Sequence, residues 1–307
     1  MKSRAVAAAL LALGGLTATA CGGTANGAAT APPSATRGGP EAQGVDAAER
    51  TSPAEPAAPQ PGSGAGSDGA GRDGAGRDGA GRDGDTAAKP LAGKVVVIDP
   101  GHNGLNYKRP DVINRPVNVL TKRKPCDTTG TSTGDGYSEA AFTWDVSQRL
   151  AKLLRAQGAT VKLTRSDNSG VGPCITERAA IGNRAKADAA ISVHADGARP
   201  SDRGFHVIMP KKINGPVDKV VGASRRLGID VRDAFRDGTG LPYSTYIGDK
   251  ALDFRDDLGG LNLSTVPKVF IECGNMRNPG EAAKFRSASF RQKIARSLAE
   301  GVANYLT

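Results

Sequence analysis

Residues 95–103 read VVVIDPGHN, and the same form recurs as AAISVHADG at 189–197 and as VPKVFIECGN at 266–275. Each is an apolar run of strand length that ends in a polar group, respectively His102, His194 and Glu272. As parallel strands of one sheet, the three runs gather these groups at its carboxyl-end edge, where open α/β sheets place their sites. Two imidazoles and carboxylates on one rim point to a metal-dependent hydrolase.

Outward from these runs, strand and helix alternate. Residues 94–99, 160–164, 189–193, 204–209 and 267–272 read as strands, and 139–156, 175–187, 218–235 and 290–305 as helices. In the first of these helices Phe142, Val146, Leu150, Leu153 and Leu154 fall at helical spacing, and Gly158 stands where a helix C-cap belongs. The alternation predicts one α/β domain with a mainly parallel central sheet flanked by helices. Residues 103–137 break the pattern, being long, polar, Gly/Thr-rich and without a period. Such a stretch inside a compact domain is usually functional, and this one directly follows the first rim histidine.

The first 90 residues stand apart. Met1-Lys2-Ser3-Arg4 is a basic start, residues 5–16 are an apolar core too short to anchor by spanning, and Ala18-Thr19-Ala20-Cys21 closes it. Residues 1–21 read as an export signal with a lipobox, making Cys21 the lipid-bearing first residue of the mature chain. Ordinary cleavage beside Cys21 is the alternative, since Ala18 replaces the usual Leu. Residues 22–90 are mostly Gly, Ala, Pro, Ser and Asp, with almost no large apolar side chain, and carry the repeat GAGSD-GAGRD-GAGRD-GAGRD. They cannot bury enough surface to offset the entropy of ordering, so a disordered tether is expected, spanning ~45 Å as a Gly-rich coil. No later apolar run reaches the ~20 residues of a membrane span. The predicted location is extracytoplasmic: lipid-anchored on the outer face of the membrane through Cys21, or secreted to the wall.

Residues 91–307 are one domain's worth of chain. They hold 33 Lys and Arg against 22 Asp and Glu, so the chain's net charge of +10 belongs to this part. The basic residues lack aromatic interleaving or a nucleic-acid motif, so an anionic cell wall is the expected partner and nucleic acid is not. A generally solubilising surface is the alternative. A monomer is expected.

A catalytic zinc takes three protein ligands and keeps one position open. Glu139 is the candidate to join the two histidines: Ser138 suits an N-cap, and a carboxylate in the first helical turn can point back toward the strand ends. Spacing alone does not fix this set, because ligands so far apart share no motif.

Taken in order, DPGHNG, GYSEAAFTWDVSQRLAKLLRAQGATVKLTR, ERAAIGNRAKADAAISVHADG and VPKVFIECGNMRNPGEA resemble the blocks of the zinc-dependent N-acetylmuramoyl-L-alanine amidases, the amidase-3 family of cell-wall hydrolases. The resemblance covers residues 94–307 and is closest to the small single-domain amidases of actinobacteria. It implies one Zn2+ held by His102, Glu139 and His194, with Glu272 as the catalytic carboxylate that moves a proton from water to the departing amine. The implied substrates are peptidoglycan and muropeptides, cut between N-acetylmuramic acid and L-alanine. The chain departs from the wider family in having Cys-Gly-Asn-Met after Glu272. It also lacks an obvious long helical insertion between His194 and Glu272, so self-inhibition by such a helix is not expected.

Once Cys21 is lipidated or removed, Cys126, Cys174 and Cys273 remain, an odd number for an oxidising compartment. Cys273 follows Glu272 on a core strand and is expected as a buried thiol. That leaves Cys126 to pair with Cys174, closing a loop worth about 3–4 kcal/mol on the chain-entropy view; three free thiols are the alternative. His206 is expected to pack or face solvent, and Arg178 to hold a helix near the rim. Asn262 and the Lys122-Arg123-Lys124 run are weaker candidates for touching sugar or peptide carboxylates. Two other classes fit parts of the pattern: a zinc peptidase cutting within the stem peptide, and a non-catalytic wall-binding lipoprotein.

Overall fold

The computed structural model describes residues 89–307; the signal expected at 1–21 and the tether expected to follow it lie, up to residue 88, outside the described residues. In chain order the elements are β1 (Val95–Pro100), α1 (Pro110–Ile113), β2 (Pro116–Asn118), β3 (Arg123–Pro125), α2 (Glu139–Ala156), β4 (Thr160–Leu163), α3 (Ile175–Arg184) and β5 (Ala189–Asp196). There follow β6 (His206–Pro210), α4 (Val221–Thr239), β7 (Leu252–Arg255), α5 (Gly259–Asn262), β8 (Lys268–Asn275), α6 (Pro279–Arg286) and α7 (Ala288–Leu306).

Six strands form one sheet in the order β4-β1-β5-β8-β6-β7. All neighbours are parallel except β8 and β6, which run antiparallel. The three strands that carry the rim groups are therefore adjacent and point the same way, as their sequences predict. Alternation along each strand divides the sheet into two faces. Ile98, Ile191, Val193, Val207, Met209, Val269 and Ile271 turn to the larger core, where Phe142 and Leu150 of α2, Leu227 and Val231 of α4 and Leu298 of α7 meet them. Each such side chain, once fully buried, contributes roughly 1.5–3 kcal/mol. Val97 and Ala190 turn the other way, toward a smaller cluster with Val266 and Ile181 of α3. By the same alternation Ser192, His194, His206, Lys268, Phe270 and Glu272 share that second face.

Local signals set the boundaries. The Ser138 hydroxyl accepts from Ala141 N at the start of α2. At its end Gly158 takes φ +98°, with Gly158 N donating to Arg155 O and Ala159 N to Leu154 O, the paired bonds of a Schellman stop. The helix predicted over 175–187 ends earlier, at Arg184, followed by Lys186 at positive φ. The one predicted from 218 begins at Val221, after a 3-10 turn at Pro216–Lys219.

The polar stretch 103–137 is ordered without being apolar. It contains α1 and the antiparallel pair β2 and β3, and Cys126 is joined to Cys174 with their Cα atoms 4.6 Å apart. Cys273 is a buried free thiol. β7, α5 and α6 were not predicted. In β7 every residue is half-buried, so no alternation shows, whereas α6 carries a legible start in Asn278-Pro279, the Asn278 side chain accepting from Gly280 N and Glu281 N.

Candidate active site

Pro100 and Gly101 turn the chain off β1 so sharply that His102 takes φ +57°, a left-handed conformation that a non-glycine residue rarely holds unaided. Arg178 of α3 holds it there. Buried beneath the turn, its guanidinium donates to His102 O (2.9 Å), Pro100 O (2.7 Å) and Asp99 Oδ1 (2.8 Å). Asp99 in turn pairs with Lys268 Nζ at 3.0 Å and accepts from the hydroxyls of Thr164 and Ser192. The His102 ring lies 3.0 Å from Thr128 O through Nδ1. A carbonyl can only accept, so Nδ1 carries the proton and Nε2 faces Glu139 Oε2, 3.1 Å away.

His194, at the end of β5, stacks on Phe270 with ring centroids 3.9 Å apart and directs Nδ1 to Glu139 Oε1 at 2.9 Å. Glu139 opens α2 and reaches back over the rim. Its two oxygens also accept from Thr131 N (2.9 Å) and Ala195 N (3.1 Å). Ligand atoms of His102, Glu139 and His194 all lie within 4.8 Å of one another, a group able to hold a metal ion. Glu272, paired in register with His194, lines the same cavity of about 350 Å³.

Three observations fit this group to a metal. His102 gives its second nitrogen to a backbone carbonyl, the outer bond that metal-binding histidines usually make. Two backbone passages come too close for any side chain: a Cβ on Gly101 would overlap the His194 ring, and one on Gly130, at φ +76°, would stand 2.8 Å from His102 and 2.9 Å from Glu139 Oε2. The donor set, two imidazoles and one carboxylate, also suits a borderline-soft divalent ion.

Electrostatics separate the carboxylates. Burial alone would raise Glu139, but His102 and His194 hold it well below its ordinary range. Burial lowers His194, whereas Glu139 and Asp127 carry His102 well above its usual value despite burial. Glu272 goes the other way, pushed well up by burial and by repulsion from Glu139 and Asp196. One carboxyl is thus built to stay charged beside the two imidazoles and the other to take up a proton easily.

The N-acetylmuramoyl-L-alanine amidase profile, Amidase_3, matches residues 96–304. The chain belongs to this family. Over 220 residues it is 42% identical to N-acetylmuramoyl-L-alanine amidase Rv3717 of Mycobacterium tuberculosis, covering 70% of this chain and 88% of that protein. Its fold matches the crystal structure of the amidase Ami1 from Mycobacterium smegmatis with a TM-score of 0.66 and 40% identity, over 70% of this chain and 98% of that one. Ami1 from Mycobacterium abscessus gives the same score and identity over 71% and 100%.

Beyond the four rim residues, the structure shows what the other candidates touch. Asn262 is fully buried, and its amide donates to Val119 O and Asp256 O, pinning the β2–β3 hairpin to the segment before α5. Lys124 does line the cavity but pairs with Asp257 at 3.2 Å. Arg178 holds the β1 turn more than its own helix. Sequence reading missed Asp127, Thr128, Gly130 and Thr131, which belong to the aperiodic stretch after His102; only the position of that stretch signalled a role. Among the described residues no helix is long and apolar enough to cross a membrane.

Proposed function

We propose that this amidase hydrolyses the bond between the lactyl group of N-acetylmuramic acid and L-alanine in peptidoglycan, with one zinc ion held by His102, Glu139 and His194. The convergence of those three donors beside a raised Glu272 in one cavity carries the reading. A zinc ion bound there supplies Lewis-acid polarisation of the scissile carbonyl and a lowered pKa for water. Glu272 takes the proton of the attacking water and returns it to the departing nitrogen, work suited to a carboxyl whose hold on a proton is strengthened by burial and by Glu139 and Asp196. His102 and His194 stay fixed through this, the first by Arg178 and Thr128 and the second by stacking on Phe270.

The test is mass spectrometry of defined muropeptides after digestion. Free stem peptides with an intact L-alanine amine are expected; fragments split within the stem would make the protein a peptidase, and no cleavage would make it a wall-binding protein. Glu272→Gln is expected to lower turnover about 10²–10⁴-fold with its zinc retained. His102→Ala should lose both, as metal analysis of the purified variants would report. The sequence of residues 1–90 supports an extracytoplasmic setting with a lipid on Cys21, which intact-mass measurement of the mature protein checks.

A further inference from the structure

Glu272 has a partner on either side at the same level of the sheet: His194 in the parallel register with β5, and His206 in the antiparallel register with β6. Residues directly opposite in an antiparallel pair project from the same face, with Cβ atoms about 4.5–5.5 Å apart. His206 is 1% exposed, and its Nδ1 has no hydrogen-bond partner among the described residues; neither does Oε2 of Glu272. A buried polar atom left so is destabilising, because it gives up its bond to water and gains none in return. Two of them in one cross-strand pair can satisfy each other, directly after a small rotation or through one water.

Two other donors near Glu272 make their bonds elsewhere. Tyr246 donates its hydroxyl to Asp196 at 3.0 Å, and Arg255 forks onto Asp257 at 2.7 and 2.8 Å. Asp253 of β7 sits opposite Ile208, two positions along the strand from His206. The His206 ring meets Tyr246 edge-on at 6.0 Å, which fixes its plane. Burial, helped by Arg255, lowers its pKa to about 4 and keeps it neutral. A cation in this position would favour the ionised carboxylate and weaken it as a proton acceptor; a neutral N–H can orient it at less cost to its basicity.

We propose that His206 is a positioning residue for Glu272, holding one carboxyl oxygen so that the other meets the reacting water and amine. This rests on the proton role of Glu272 proposed above. In the full chain, His206→Phe keeps the ring's bulk without its nitrogens; kcat on purified muropeptide should fall about 10–100-fold, with KM and bound zinc unchanged. His206→Gln, which restores an N–H donor, should recover most of the loss. A His206→Phe protein within about twofold of the parent, or equal losses in both variants, would overturn the proposal. Ring 15N resonances provide a measurement that needs no catalysis: the His206 signals of the parent should shift on Glu272→Gln, and unmoved signals would equally overturn it. If the parent releases no stem peptide while those signals do shift, the proposed function fails and the His206–Glu272 bond stands.

Discussion

At the scale of single residues, the site depends on what is absent from two side chains and on one buried charge. Gly101→Ala places a methyl group in the His194 ring, so zinc affinity should fall about 10–100-fold, measured by competition with a chelator. Asp99 is a different case. Burial would raise its pKa, yet Lys268, Arg178 and two hydroxyls hold it well below the ordinary range. A carboxyl depressed by folding contributes stability that is complete above its unfolded value near pH 4 and is lost as pH falls toward the folded value. Urea midpoints should therefore drop below about pH 4, and Asp99→Asn should flatten that dependence. The variant should also cost about 3–5 kcal/mol at pH 7, because Lys268 is left buried without its partner. His102, His194, Glu139 and Glu272 were legible because strand ends and a helix cap fix where such groups point. Asp99 was written in the same run but looked like an ordinary strand residue, since its partners come from residues 65 to 169 positions away.

At the scale of elements, periodic segments declared themselves and aperiodic ones did not. β1, β5 and β8 were visible as apolar runs, and α2 through its heptad-like face and Gly158 stop. The β2–β3 hairpin had no such mark. Its place is set by Asn262, by Lys124 with Asp257, and by the Cys126–Cys174 link, all contacts to distant sequence. On the chain-entropy view a loop with a separation of 48 residues is worth about 4 kcal/mol. Reduction should lower the thermal midpoint accordingly, and thiol titration of denatured protein should rise by two groups when a reductant is added.

At the scale of the whole molecule, the excess of positive charge lies in residues 91–307 and not in the tether sequence. Binding to an anionic wall should weaken steeply as salt rises from 50 to 500 mM, as the Debye length shortens from about 14 Å to about 4 Å; sedimentation with purified sacculi would measure it. Catalytic rate on small soluble muropeptides should change far less. The pairing of β8 with both β5 and β6 has one more consequence, which concerns descent. Glu272 alternates with Ile271 and Cys273, which face the large core, so parity decides which of them reaches the rim. Inserting one residue between Lys268 and Glu272 exchanges the acid for a hydrocarbon and sends a carboxyl into the core. A change of length is therefore tolerable between these strands and ruinous within them, so the chemistry is protected by parity as much as by the identity of its residues.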